Sequence, residues 1–132
     1  MGDWKFEEGL KYTESDEWVR VEGDEAVIGI TDYAQDQLSD LVFVELPEVG
    51  DTFSKGDSFG VVESVKAAGD VNTPAGGEVV AVNEALEDTP ETINEDPYGK
   101  GWIIRLKLDD PSELDGMMEA EGYKAYCEMR EG

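Results

Sequence analysis

Residues 58–70, SFGVVESVKAAGD, carry the strongest fold signal in the chain. Residues 58–67 are rich in valine and predict an extended segment, and Gly69 with Asp70 predicts a turn directly after it. Lys66 has only small or β-branched neighbours, so we expect its side chain to project from the tip of a hairpin. Two interpretations stay open at this point: a solvent-facing strand lysine, which is where lysines usually lie, or a lysine presented to a modifying enzyme as the anchor of a carrier arm.

Other short apolar segments also predict strands. Residues 18–21 and 26–30 flank EGDE at 22–25, which indicates a hairpin with a Gly-Asp turn. Residues 41–46 (LVFVEL), 78–83 (EVVAVN) and 102–108 (WIIRLKL) are typical of strands. The last is predicted to be half-buried, with Trp102, Ile104, Leu106 and Leu108 on one face and Ile103, Arg105 and Lys107 on the other. Many short strands joined by glycine-rich turns favour an antiparallel sandwich or barrel.

Helical signals are fewer and lie after residue 30 and near the end. Thr31 or Asp32 can cap a short helix that runs through residue 38. Asp110 is suited to cap a second helix, with Pro111 at its first position and Glu113 closing a capping box. An apolar stripe follows it, interrupted by glycines, and includes Leu114, Met117, Met118, Tyr123 and Cys127. We therefore expect one domain, residues 1–132, with a helical C-terminal cover.

The composition excludes several kinds of function. The 132 residues include no histidine and one cysteine, which leaves no histidine catalysis, no intramolecular disulfide and no cysteine-cluster metal site. No EF-hand spacing and no P-loop ending is present. No apolar run approaches the roughly 18 residues of a membrane span. The N-terminus lacks the pattern of a secretory signal. We expect a cytoplasmic protein with no metal ion and no membrane.

The acidic residues give the chain a formal net charge of −23, from 33 Asp or Glu against 10 Lys or Arg. Phosphate groups would be repelled, so nucleic acid is not expected as a partner. Repulsion between carboxylates destabilises a compact chain in dilute buffer, whereas molar salt shortens the Debye length to about 3 Å. We predict an origin in a salt-loving organism. The alternative is an ordinary acidic protein whose charge serves solubility.

Residues 63–67, ESVKA, resemble the lipoyl-attachment motif of the glycine cleavage system H-protein family. Biotin carriers usually have methionine on both sides of the modified lysine, and lipoyl domains of 2-oxo acid dehydrogenases usually have aspartate before it. Here Val65 precedes Lys66 and Ala67 follows it, as in H proteins. The resemblance extends from about residue 10 to about residue 126. It includes the segments 17–19 (EWV), 29–35 (GITDYAQ), 42–47 (VFVELP), 59–67 (FGVVESVKA), 77–83 (GEVVAVN) and 94–102 (NEDPYGKGW).

The resemblance implies a mainly β fold of the lipoyl/biotinyl type. This is a barrel-sandwich hybrid of two small antiparallel sheets, with short flanking helices and a helical C-terminus. It also implies lipoate joined covalently to Lys66 by an amide. The chain would be a carrier subunit that is not itself catalytic, and we expect a monomer.

In the family's cycle, lipoate accepts the aminomethyl group of glycine from glycine decarboxylase (P protein). The carrier then presents this group to the aminomethyltransferase (T protein), and dihydrolipoamide dehydrogenase (L protein) reoxidises the dithiol. A lipoylating enzyme is the fourth partner that the resemblance implies.

Five further residues receive roles from the resemblance. Ser15, Glu17 and Asp70 match a cleft that holds the loaded arm, where a hydroxyl and two carboxylates suit an ammonium. Ser15 and Asp70 fit turn capping equally well, and Glu17 fits an exposed surface position. Glu63 and Ser64 either are recognised by the lipoylating enzyme or shape the turn.

The chain also departs from the family at three positions. Asp16 stands where the family often has histidine, which leaves one cleft contact open. Gly69 and Gly76 stand where serine is common.

Three rival functions remain compatible with the residues. A lipoyl donor or scaffold in lipoate assembly for 2-oxo acid dehydrogenases needs the same Lys66. A hydrolytic enzyme would use a carboxylate pair, which is a weak signal in a chain this acidic. A passive binding module would leave Lys66 bare.

Overall fold

The computed structural model describes residues 4–131 and is built mainly of β-strands. In chain order the strands are β1 (Lys11–Tyr12), β2 (Glu17–Glu22), β3 (Glu25–Ile30), β4 (Leu41–Glu45), β5 (Thr52–Phe53), β6 (Ser58–Ser64), β7 (Ala68–Asn72), β8 (Gly77–Val82) and β9 (Ile104–Leu108). The α-helices are α1 (Asp32–Leu38), α2 (Ala85–Asp88), α3 (Thr92–Glu95) and α4 (Ala120–Glu131). Residues 1–3 and 132 of the expected domain lie outside the described residues.

The strands form two antiparallel sheets. One has six strands in the order β1-β2-β3-β9-β8-β5, and the other has three in the order β4-β6-β7. The predicted hairpin is confirmed: β2 and β3 pair from Glu17↔Ile30 to Glu22↔Glu25. The expected fold class, a mainly β arrangement of two antiparallel sheets with short helices and a helical C-terminus, is therefore confirmed.

The six-stranded sheet is buried on both faces, which explains the apolar residues at neighbouring positions. One face packs against the three-stranded sheet, so that Ile28 and Leu106 share a core with Val62 and Val71. The other face carries an aromatic cluster beneath α4. Its members include Tyr12, Trp18, Tyr33, Tyr98 and Tyr123. The second core holds α4 against the same sheet that carries the N-terminal strands.

The hairpin between β6 and β7 differs from its prediction in two respects. Strand β6 ends at Ser64, before the predicted end at residue 67. The predicted turn at Gly69 and Asp70 is wrong, because both lie in β7 and pair with Val62 and Val61. Pairing with β6 satisfies the backbone there, and this long-range contact outweighs the local preference of Gly-Asp for turns. The turn consists of residues 65–67.

The helix starts are confirmed in part. Thr31 caps α1 by accepting a hydrogen bond from the Ala34 N–H at 3.1 Å. Asp110 caps as predicted, but the segment that follows is a single 3₁₀ turn, Pro111–Leu114. The predicted capping box is wrong, because Glu113 Oε1 accepts instead from the Gly76 N–H at 2.8 Å.

The C-terminal apolar stripe does not form one helix: Leu114 lies in the 3₁₀ turn, Met117 and Met118 follow it outside any helix, and Tyr123 and Cys127 lie in α4. Gly116 has φ +86°, a left-handed conformation that ends the 3₁₀ turn region, and α4 begins afresh at Ala120. At 12 residues α4 is the longest described helix, and none of the described helices has the length and apolarity to cross a bilayer.

Few of the charges are paired. Among residues 4–131 the salt bridges are those of Arg105 with Glu22 and Glu25 and that of Arg130 with Asp16. Within that range only Glu22, Glu25 and Asp16 thus have a salt-bridge partner, and two arginines serve all three. The remaining carboxylates repel one another over the surface.

We expect the melting temperature to rise between dilute buffer and molar KCl, because screening removes this repulsion from the folded state more than from the expanded unfolded chain. A gain of about 2 kcal/mol would correspond to a rise of about 8 °C for a domain of this size. Scanning calorimetry at stepwise KCl concentrations measures it. Equal melting temperatures at both ends of the series would contradict the salt-loving interpretation.

Candidate functional site

Lys66 lies in the exposed turn that joins β6 to β7, as the sequence predicts. Within the described chain, no salt bridge or side-chain hydrogen bond engages its Nζ. The turn itself is ordered by Ser64, whose N–H donates to the Ala67 carbonyl at 2.7 Å. The Ser64 hydroxyl accepts from the N–H groups of Lys66 (3.3 Å) and Ala67 (3.1 Å). The Lys66 side chain therefore projects from a short turn that is stabilised by its own hydrogen bonds.

These bonds give Ser64 a clear part in shaping the turn, which is one of the two roles that its position suggested. Glu63 is exposed at the end of β6, where its backbone pairs with Phe43 on one side and Ala68 on the other. Recognition of Glu63 and Ser64 by a lipoylating enzyme stays a prediction.

The structure brings Ser15, Glu17 and Asp70 together, although they come from segments more than 50 residues apart. All three line a cavity of about 210 Å³ that is closed on its apolar side by Leu38 of α1 and Val62 of β6. Gly69 also lines it, and β7 leads from this cavity to the turn that carries Lys66. The cavity therefore lies beside the β6–β7 hairpin that carries Lys66.

Glu17 is the buried polar centre of this region, with only 1% of its surface exposed. Its Oε1 accepts from the hydroxyls of Thr13 and Ser15, both at 2.6 Å. Its Oε2 accepts from the Asn72 N–H at 3.1 Å. Burial raises the pKa of Glu17, and these hydrogen bonds oppose the rise in part. One carboxylate thus ties the β1–β2 turn to strand β7.

Burial and contacts decide between some of the alternative roles of the three cavity residues. The exposed-surface interpretation of Glu17 is wrong, because its carboxylate is buried. Asp70 does not cap a turn, since it lies in β7 and its side chain is exposed at the cavity. Ser15 is also exposed, and its hydroxyl donates to Glu17. Their part in holding a loaded arm stays a prediction.

Asp16, between two of these residues, belongs to a network that the sequence did not reveal. Its φ of +74° is left-handed, which aspartate tolerates better than most residues. Its Oδ1 accepts from the Tyr123 hydroxyl at 2.8 Å and from Arg130 at 2.6 Å. The Tyr123 oxygen also lies 2.6 Å from Thr31 Oγ1. Helix α4 and the N-cap of α1 therefore fix the turn that carries Ser15 and Glu17.

A second cavity of about 750 Å³ also includes Ser15 and Glu17 but extends away from Lys66. It lies against the far end of β7 and the segment after the 3₁₀ turn, and includes Thr73, Lys55 and Met117. Its larger volume does not make it the better candidate, because it lacks Gly69 and Asp70, the residues of β7 through which the smaller cavity approaches the Lys66 turn.

The side chains of the described residues were also compared with the requirements of a metal site. No group of three or more Asp, Glu or Cys residues there is arranged to hold a metal ion. Cys127 is buried in the aromatic core, as expected for a packing residue. Arg130 Nη2 approaches its Sγ at 3.6 Å, which by itself would lower the pKa of the thiol. Burial is still the larger effect and raises the pKa of the thiol.

Comparison with known proteins places this geometry in a family. A family model described as "Glycine cleavage H-protein" matches residues 10–130. The chain belongs to the glycine cleavage H-protein family. It is 57% identical over 119 residues to the glycine cleavage system H protein of Magnetococcus marinus, covering 90% of this chain and 85% of that one. The H protein of Aeromonas salmonicida is 58% identical over 116 residues, covering 87% and 90% of the two chains.

A solved H-protein structure resembles this chain in fold as well as in sequence. The crystal structure of a glycine cleavage system H protein from Mycobacterium marinum superposes with a TM-score of 0.84 at 40% identity. The match covers 91% of this chain and 97% of that one. Both sheets and the lysine-bearing hairpin thus belong to an H-protein fold.

Because the pKa of Glu17 is raised, the stability of the fold should depend on pH. The folded protein holds the Glu17 proton to higher pH than the unfolded chain does. Glu17 therefore contributes most to the free energy of unfolding at pH values below the ordinary carboxyl pKa of 4.5. That contribution is lost as the pH rises through the folded pKa. We expect the unfolding free energy of the wild type, minus that of Glu17→Gln, to fall as the pH rises from 4.5 through the folded pKa of Glu17 and then to level off.

Denaturant titrations of both proteins in 1 M KCl, from pH 4 to 8, measure this difference while screening the net charge. Glu45→Gln, which removes one exposed carboxylate, controls for the change in total charge. A difference between wild type and Glu17→Gln that rises with pH would show that the carboxylate is stabilised, not penalised, by its surroundings.

Proposed function

We propose that this chain is the lipoyl carrier of a glycine cleavage system and that Lys66 is its attachment residue. The observation that carries the proposal is the position of Lys66: an exposed amine in the 65–67 turn of an H-protein fold, supported by the Ser64 hydrogen bonds. The ESVKA segment around it resembles the family's attachment motif. The cytoplasm is the location we propose.

The residues around Lys66 fit a covalently attached lipoyl group. Acylation removes the ammonium charge, and no carboxylate of the described chain is paired with that charge and would be left without a partner. The turn is flanked by the small, exposed side chains of Ala67 and Ala68, which leave the amine accessible. When bound, lipoate supplies a dithiolane that undergoes thiol–disulfide exchange and carries a one-carbon amine.

The chain's own residues position the arm and provide a polar recess near its base. Ser15, Glu17 and Asp70 present a hydroxyl and two carboxylates to the 210 Å³ cavity. Such groups hold an ammonium through charge-assisted hydrogen bonds, and Leu38 and Val62 give the cavity an apolar wall. Glu17 would have to share its carboxylate between this cation and its present donors.

The proposed partners are glycine decarboxylase, the aminomethyltransferase and dihydrolipoamide dehydrogenase, together with a lipoylating enzyme. The chain acts as a non-catalytic carrier between their active sites. Tethering keeps the carried group at an effective concentration near millimolar when a partner is docked. The arm therefore replaces free diffusion of a reactive intermediate.

The alternative role as a lipoyl donor or scaffold for 2-oxo acid dehydrogenases is not favoured. It needs the same lysine, but the relatives are named for glycine cleavage. Reconstitution with purified partners distinguishes the two roles. We expect the lipoylated chain to support glycine-dependent formation of methylene-tetrahydrofolate and ammonia. Transfer of its lipoyl group to a dehydrogenase lipoyl domain, without glycine breakdown, would contradict the proposal.

A further inference from the structure

Three large apolar side chains are exposed around the 65–67 turn. Val65 within the turn is 78% exposed, and Val42 and Phe43 of β4 are 54% and 50% exposed. They are half of the six large hydrophobic residues that stand well out of the described surface. We call Val42, Phe43 and Val65 the tip patch. Exposed apolar groups that lie together, unlike scattered ones, mark contact sites.

The tip patch is produced by a β-bulge. Strand β4 pairs with β6 through Leu41↔Ser64 and Phe43↔Glu63, with an irregularity between Leu41 and Phe43. Regular alternation would turn one of two successive residues inward. At the bulge, Val42 and Phe43 both face solvent while Leu41 and Val44 are buried. Because β4 is paired with Ser64 at the end of β6, the bulge brings these side chains beside the turn that holds Lys66.

We propose that the tip patch is the docking surface for the enzyme that acylates Lys66. This inference rests on the proposed function and adds a contact surface to it. Without its arm, the Lys66 amine lies only one side-chain length from the turn. An enzyme that acylates it must bring its active site onto the turn and cover the adjoining surface. Enzymes that act on the dithiolane meet the far end of a longer arm, so their contact with the carrier need not lie at the turn.

The charges around the tip patch indicate the chemistry of that partner. Asp40, Glu45 and Glu63 are exposed at its margin, and the whole chain is strongly acidic. An apolar centre with a polar rim is the usual anatomy of a protein interface. The complementary face has an apolar centre and a basic rim, which also accelerates encounter with an acidic carrier.

The chemical step at the docked turn is an acyl transfer. Lys66 Nζ attacks as the neutral amine, its C–N amide bond forms, and the bond from the acyl carbon to the leaving group of a thioester or acyl-phosphate donor breaks. The ammonium loses one proton to give this amine and the nitrogen loses a second as the amide forms, so that one N–H remains. The leaving group departs with its bonding electron pair as a thiolate or phosphate, and no oxidant or reductant is needed. The tip patch contributes to binding, so its loss should raise KM for the carrier more than it lowers kcat.

The test uses the unmodified full chain as substrate for a purified lipoylating enzyme, with acylation followed by intact mass. The variants are Val65→Thr alone and the triple variant Val42→Thr, Phe43→Thr, Val65→Thr. Val49→Thr is the matched control, because Val49 is 62% exposed in the β4–β5 connection, outside the patch. We expect kcat/KM to fall at least tenfold in the triple variant and severalfold in Val65→Thr, with less than twofold change in the control. The melting temperature of each variant verifies its fold.

A second measurement separates the acylating enzyme from the other partners. Each variant is lipoylated to completion by long incubation, and reduction of its arm by dihydrolipoamide dehydrogenase is then measured. We expect rates within twofold of wild type. Acylation of the triple variant at the wild-type kcat/KM, or an equal loss in both reactions, would overturn this inference and leave the proposed function intact. Failure of wild-type Lys66 to accept lipoate at all would overturn both.

Discussion

Replacing Lys66 with arginine should reduce glycine breakdown in a reconstituted system to the rate measured without the carrier. A guanidinium stays protonated and does not form the amide that a lysine amine forms. The substitution keeps the positive charge and lies in an exposed turn, so the melting temperature should change by no more than about 1 °C, in line with the small effects of surface substitutions. The loss would therefore report attachment rather than folding.

The matched control for this substitution is Lys107→Arg, which changes an exposed lysine on β9 in the same way. Its activity should equal that of the wild type. Full activity in Lys66→Arg would show that another residue carries the group.

Replacing Gly77 with alanine should cause the largest loss of stability among simple glycine substitutions. Gly77 begins β8 and lies between β5 and β9, where it pairs with Phe53 and Leu108. A Cβ there would overlap the Lys107 backbone carbonyl oxygen and press against the Leu106 side chain. Because the obstacle is the backbone of a neighbouring strand, the sheet must shift. We expect a loss of about 3 kcal/mol, the upper part of the range for overpacked sites, measured by urea titration.

Gly122→Ala is the control with the opposite sign. Gly122 lies in α4, where an added Cβ would make an ordinary contact with Met118 Cβ at 3.9 Å. Alanine is better than glycine in a helix by about 0.8–1.0 kcal/mol, so this variant should be more stable. If Gly77→Ala proves as stable as the wild type, the close approach of β8 and β9 is not as described.

Local patterns predicted the parts of the fold that depend on neighbouring residues. The β2–β3 hairpin, the Thr31 cap and the alternation of β9 each follow from a few adjacent side chains. Strand β7 was missed because its sequence, AGDVN, contains Gly-Asp and has little strand propensity. It is a strand because β6 pairs with it along its length. Glu113 was misassigned for a similar reason, since its acceptor contact is with distant Gly76.

The candidate site was predictable only where a motif marks it. Residues 63–67 identify Lys66, and the resemblance identifies Ser15, Glu17 and Asp70 as residues that belong together. No local signal joins Asp16 to Tyr123 and Arg130, which are more than 100 positions away in the chain. The bulge that exposes Val42 and Phe43 was equally hidden, because LVFVEL reads as an ordinary strand.

Intact mass with peptide mapping tests the central claim most directly. The protein is expressed in a host that makes lipoate, and its lysine-containing peptides are compared with those of Lys66→Arg. We predict one lipoyl increment, located on Lys66 and absent from the variant. An unmodified Lys66, or an increment on any other lysine, would contradict the account.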